Sequence, residues 1–122
     1  MNKKILIIED EKTSAKALEI KLRKAGHDVK TVSNGDVGLK ELENDGYDLA
    51  LLDILMPVAD GWSVLEKIKE KGLKVKVIIT SNLSQPEDKK RAMEMGASDY
   101  MVKSDSTLAN IVDRVRSILQ PS

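Results

Sequence analysis

The chain has no cysteine and no phenylalanine, and its 122 residues include one tryptophan and two tyrosines. Without thiols there is no disulfide framework, no thiolate metal site and no cysteine nucleophile. With so few aromatics, the core has to be built from Ile, Leu, Val, Ala and Met. An excess of one charge is also missing, since 20 Lys and Arg balance 20 Asp and Glu. A neutral sum leaves no electrostatic footprint for nucleic acid or for an anionic membrane. Any action on DNA would therefore need another domain or a partner. No stretch reaches the roughly 18 apolar residues of a membrane span. After Lys3-Lys4, the run Ile5-Leu6-Ile7-Ile8 meets acids at once, which is too short for a secretory h-region. The sequence reads as a soluble, cytoplasmic chain. Its length fits one domain over residues 1–122, and a domain of that size buries roughly two-thirds of its unfolded surface.

What is present is a regular alternation. Short apolar runs occur at Ile5–Ile8, Val29–Val32, Leu49–Leu52, Val77–Ile79 and Tyr100–Val102. The first, third and fourth are continuous, as in strands covered on both faces. Helical periods separate the runs. Ala15, Leu18, Leu22 and Ala25 form one stripe before Gly26, and Val37, Leu39 and Leu42 suggest a second helix before Gly46. Val64, Leu65 and Ile68 suggest a third, ahead of Gly72. Ser84-Gln85-Pro86-Glu87 reads as a capping box opening a fourth helix, which stops at Gly96. A fifth helix is expected from near Asp105, with Leu108, Ile111, Val112, Val115, Ile118 and Leu119 on one face and Pro121 just beyond. Alternating strands and helices predict an α/β fold, a five-stranded parallel sheet with helices on both faces.

Ligands of such sheets sit beyond the carboxyl ends of the strands. Glu9 and Asp10 follow the first run, Asp53 the third, Thr80-Ser81-Asn82 the fourth and Lys103-Ser104 the fifth. If the sheet has order 2-1-3-4-5, the first and third strands are neighbours and the three acids converge. Like charges in one place repel unless compensated. A hard divalent cation suits carboxylate oxygens, and one or two carboxylates plus water is the magnesium pattern. Lys103 offers a fixed ammonium and Ser81 a hydroxyl. Acids, cation, amine and hydroxyl together suit phosphoryl transfer, which asks mainly for positioning and charge neutralisation. The residues alone do not say that Asp53 itself is modified.

The segments Ile7-Ile8-Glu9-Asp10-Glu11, Asp48-Leu49-Ala50-Leu51-Leu52-Asp53-Ile54-Leu55-Met56-Pro57, Asp60-Gly61, Val77-Ile78-Ile79-Thr80-Ser81 and Gly96-Ala97-Ser98-Asp99-Tyr100-Met101-Val102-Lys103 resemble, in order and spacing, the receiver domains of two-component response regulators. The likeness runs from Lys3 to Leu119. It implies a flavodoxin-like fold in which Asp53 takes a phosphoryl group from a sensor histidine kinase or a histidine phosphotransfer protein. It also implies Mg²⁺ held by Asp10, Asp53 and the Leu55 backbone carbonyl, with Glu9 assisting. Ser81 and Lys103 would contact the phosphoryl group. Tyr100 would be the aromatic switch, turning inward with Ser81 and altering a face made by the fourth helix, fifth strand and fifth helix. That face would serve a downstream protein not identifiable from sequence. The domain would catalyse nothing beyond its own phosphorylation and dephosphorylation.

Two positions depart from the family pattern, and two more bear on how long a phosphoryl group lasts. Ser104 stands where proline is usual, and a cis Lys103–Ser104 bond is expected despite its cost of about 2.5–4 kcal/mol. Asn82 replaces a small residue and is expected to narrow access to Asp53. Leu55 and Leu83 cannot orient a water, so self-dephosphorylation should be slow. Other readings fit less well. An aspartate-nucleophile phosphatase wants a second acid two residues after its nucleophile, where Leu55 stands. A flavin module wants a Ser/Thr/Gly-rich first loop and stacking aromatics. A receiver that has lost its acceptor chemistry would not keep Glu9, Asp10, Asp53, Ser81 and Lys103 together. The single histidine, His27, falls at the opposite end of the sheet and reads as a surface or packing residue.

Overall fold

The computed structural model describes residues 3–56 and 60–120. Its elements run β1 (Lys4–Ile8), α1 (Lys12–Lys24), β2 (Asp28–Val32), α2 (Gly35–Asn44), β3 (Leu49–Leu52), α3 (Gly61–Glu70), β4 (Lys76–Ser81), α4 (Pro86–Glu94), β5 (Asp99–Val102) and α5 (Leu108–Leu119). The strands form one parallel sheet of order β2-β1-β3-β4-β5. Strand alternation divides the buried side chains between two faces. Leu6, Ile8, Leu52, Val77 and Ile79 pack with Leu42, Val64, Leu65 and Ile68 from α2 and α3. Ile5, Ile7, Leu49, Leu51 and Ile78 pack with Ala15, Leu18, Leu22, Ile111 and Val115 from α1 and α5. Two covered faces explain why the central strands are continuous apolar runs.

Helix boundaries follow local chemistry. The α4 helix begins at Pro86 with Gln85 as an N-cap lacking a side-chain bond, so the expected Ser84–Glu87 capping box does not form. A residue before proline is driven out of the helical region, which fixes Gln85 outside the helix. The α5 helix starts at Leu108 rather than near Asp105. Residues Lys103–Asp105 form a 3₁₀ turn instead. Thr107 accepts from the Asn110 N–H at 3.0 Å, and Asn110 Oδ1 accepts from the Thr107 N–H at 3.2 Å, a reciprocal cap. In α2 the packing contact comes from Gly38 and not Val37, which is 46% exposed. A Cβ at Gly38 would lie 2.7 Å from Ile8 Cδ1, so any larger residue there would have to displace the Ile8 side chain. Met101 joins the core and Met95 packs against it, whereas Met93 is exposed. No described helix is long and apolar enough to cross a membrane.

Candidate functional site

The register of the sheet builds the site. Ile8 lies beside Leu52 and Leu52 beside Ile79, while Ser81 lies beside Val102. The residues that follow these partners therefore emerge together at one end of the sheet. The Glu9 N–H donates to the Val32 carbonyl at 3.1 Å and the Asp53 N–H to the Ile8 carbonyl at 3.1 Å, so both backbones are held by neighbouring strands. Carboxylate oxygens of Glu9, Asp10 and Asp53 lie within 4.8 Å of one another. Glu9 and Asp53 are buried, and Asp10 is exposed.

Lys103 crosses to these acids from the far edge strand. Its Nζ donates to Glu9 Oε1 and, at 3.2 Å, to Asp53 Oδ2. It does so through a trans Lys103–Ser104 peptide, since no described peptide bond is cis. The expected cis bond is thus not present. The 3₁₀ turn that starts at Lys103 delivers the ammonium without it, and Ser104, unlike proline, has an N–H to use. That N–H donates to Asn82 Oδ1 at 3.1 Å. Asn82 is therefore engaged with the β5–α5 turn.

Burial and charge oppose each other at Glu9. Desolvation of its carboxylate raises its pKa, and the Lys103 ammonium pulls it down. Burial wins and the group is pushed up to about 7. Lys103 is desolvated too, but Glu9 and Asp53 hold its proton more firmly than usual. The set thus carries negative charge that one ammonium does not neutralise, in a place lined by hard oxygen donors. Such a donor set fits Mg²⁺.

The remaining predicted residues lie around this cluster. Ser81 is fully buried, and its Oγ accepts from the Leu83 N–H at 3.2 Å, with the Tyr100 hydroxyl as a further side-chain neighbour. Leu55 is exposed, and its N–H donates to Asp53 Oδ1 at 3.3 Å, which places that peptide against the acids. Tyr100 is already buried, its hydroxyl donating to the Leu83 carbonyl at 2.6 Å. Gly61 was noted in the sequence only as part of a motif, and the structure gives it a reason. A Cβ there would lie 2.4 Å from the Asp53 carbonyl oxygen and 2.6 Å from Ile54 Cα. The Asp60 carboxylate caps α3 by accepting from the Ser63 N–H at 2.9 Å, and the Gly61 N–H donates to the Ile54 carbonyl at 2.9 Å. Trp62 packs against the core beside this junction and carries the Arg91 guanidinium 4.1 Å above its ring. Pro57 lies outside the described residues.

Comparison with known families decides the reading. The model of the response regulator receiver domain matches residues 5–116. The chain belongs to that family. It is a receiver domain, the phosphate-accepting module of two-component signalling. It is 39% identical to the transcriptional regulatory protein DltR of Streptococcus agalactiae over 93% of this chain and 52% of that protein. It is 35% identical to the alkaline phosphatase synthesis transcriptional regulatory protein PhoP of Bacillus subtilis, over the whole chain and 50% of that protein. The receiver thus spans about half the length of the curated relatives it matches. Among solved structures, the receiver domain of the Francisella response regulator 1452 superposes with a TM-score of 0.92 at 28% identity, covering 97% of each chain. The BeF₃-activated DrrB receiver domain does so with a TM-score of 0.88 at 29% identity, covering 99% of this chain and 100% of that one.

Proposed function

We propose that Asp53 is the phosphoacceptor of this receiver, charged by a sensor histidine kinase or a histidine phosphotransfer protein. The observation that carries this is the ammonium of Lys103, which leaves one edge of the sheet to bridge Glu9 and Asp53 at its centre. An Asp53 oxygen attacks phosphorus, the phosphorus–nitrogen bond of the donor phosphohistidine breaks, and the imidazole departs with the bonding pair. Lys103 then exchanges part of its contact with Asp53 for a phosphoryl oxygen, and the Ser81 hydroxyl donates to another. Glu9, Asp10, Asp53 and the Leu55 carbonyl would hold Mg²⁺. When bound, the ion supplies charge neutralisation on the phosphoryl oxygens. The domain acts on no other substrate.

The local charge change biases Ser81 and the Leu83 carbonyl that holds Tyr100, and through them the surface of α4, β5 and α5. A downstream protein would read that surface, and nucleic acid would be contacted by some other module. Residues 1–122 act in this scheme as one cytoplasmic receiver unit.

The test is intact mass after incubation with Mg²⁺ and acetyl phosphate. Wild type should gain one phosphoryl group and Asp53→Asn none. A wild type that stays unmodified, or a variant that is modified equally, would refute the assignment. Leu55 and Leu83 offer no side-chain hydrogen bond to an attacking water, so the phosphorylated form should be long-lived. Replacing both with polar residues (Leu55→Asn with Leu83→Gln) should speed decay about tenfold or more, followed by loss of the phosphorylated mass with time.

A further inference from the structure

We propose that Asn82 and Ser104 form a latch that positions the two phosphoryl-contacting groups, Ser81 and Lys103, relative to each other. The inference rests on the phosphoacceptor reading above. Each latch residue is the chain neighbour of one of those groups. Ser81 ends β4 and Asn82 follows it, while Lys103 follows β5 and Ser104 comes next. Past the Ser81–Val102 pair the sheet supplies no further ladder bond between these strands. The two loops would separate there if nothing joined them. The Ser104 N–H donating to Asn82 Oδ1 at 3.1 Å is that joint.

The bond requires both departures from the family pattern. A proline at 104 has no N–H, and a small residue at 82 has no side-chain acceptor. The two residues therefore make sense together and not singly. The loop after β4 has a second restraint of its own. Leu83 donates its N–H to Ser81 Oγ at 3.2 Å and accepts from the Tyr100 hydroxyl at 2.6 Å. With Asn82 fixed on one side and Leu83 on the other, the Ser81 side chain is oriented as an acceptor toward its own loop. Its single hydrogen would turn to a phosphoryl oxygen once one is present. On the other strand, Ser104 is held in the turn that aims Lys103 at Asp53.

The latch does not touch the acids. Glu9, Asp10 and Asp53 follow β1 and β3, and neither latch residue bonds to them, so losing the latch should slow the transfer step far more than it weakens ion binding. Asn82 is a positioning residue in this scheme, acting through Ser81 and Lys103.

The experiment compares wild type, Asn82→Ala, Ser104→Pro and the double variant. Mg²⁺ affinity is read from Trp62 fluorescence, the saturating rate of phosphorylation from acetyl phosphate, and exchange of the Ser104 amide by NMR. Asn82→Ala should speed Ser104 amide exchange and lower the saturating rate, each by roughly fivefold, the worth of one such bond. Mg²⁺ affinity should change by less than about twofold, because no ion ligand moves. In the Ser104→Pro background, Asn82→Ala should have no further effect on the rate, since the donor is already gone. Unchanged amide exchange in Asn82→Ala, an Asn82→Ala effect that persists in full beside Ser104→Pro, or parallel losses of ion affinity and rate would each overturn the latch. If Ser104→Pro does not fold, amide exchange and the affinity-against-rate split in Asn82→Ala decide the matter alone. A wild type that takes no phosphoryl group sinks the parent reading. A wild type that takes it no faster than Asn82→Ala sinks only the latch.

Discussion

Glu9 is the residue whose environment most alters its behaviour. Folded, it keeps its proton up to about pH 7, against 4.5 in the open chain, because burial penalises its charge. Between those values the folded form binds the extra proton. Its stabilising share is therefore complete below about pH 4.5 and is lost as pH rises through 7, a change on the order of 3 kcal/mol. A metal ion competes for the same oxygens. Urea midpoints without Mg²⁺ should fall between pH 5 and pH 8, and Glu9→Gln should flatten that fall. Mg²⁺ affinity should weaken as pH drops below 7, since the proton must leave first. An ion affinity independent of pH across this range would show that Glu9 is not a ligand.

At the scale of the element, the decisive contact is the one between the start of α3 and the end of β3. Gly61 lets the helix approach the Asp53 carbonyl closer than any Cβ permits. Gly61→Ala should therefore destabilise the protein by about 2–4 kcal/mol and weaken Mg²⁺ binding as Asp53 shifts. Gly46→Ala, where nothing lies within 4 Å, is the control and should stay within about 0.5 kcal/mol. Thermal melts with and without the ion measure both.

Elements are also where the sequence was most and least readable. All five strands could be found from apolar runs: the central ones because a strand covered on two faces leaves no alternation to misread, and β2 from Val29 and Val32, its two buried positions. The acids and Lys103 could be placed because strand ends define the ligand edge. Cap chemistry was harder to read. Pro86 overrode the Ser84–Glu87 pattern, and Asn110 at N3 completed a box that sequence patterns look for with Glu or Gln. Gly38, Gly61 and the Asn82–Ser104 pair were not legible as contacts. They depend on how closely separate elements approach in space, which no local spacing encodes.

Taken as a whole, the molecule is unevenly anchored. The α3 helix buries Gly61, Val64, Leu65 and Ile68, whereas α4 buries Ala92 alone. Thin anchoring makes α4 the helix with the lowest expected cost of local opening. Its outer side is held partly by Arg91 stacked on Trp62, a contact worth about 0.5–1 kcal/mol at an exposed site. Hydrogen exchange should be faster in α4 than in α1, α3 or α5, and Arg91→Ala should hasten it further while altering Trp62 emission. Protection of α4 equal to that of α3 would contradict this ranking.

The Lys76 ammonium, at the amino end of β4, donates to the Ile118 carbonyl near the close of α5 at 3.0 Å. The last turn of α5 and the first residue of β4 therefore share the pole of the molecule remote from Asp53. Anything joined after Gln120, whether a fluorophore, a sensor-chip linker or a fused protein, is attached at that remote pole, at the opposite end of the sheet from the Glu9–Asp53–Lys103 cluster. News of what happens at Asp53 has to cross the full depth of the sheet to reach it.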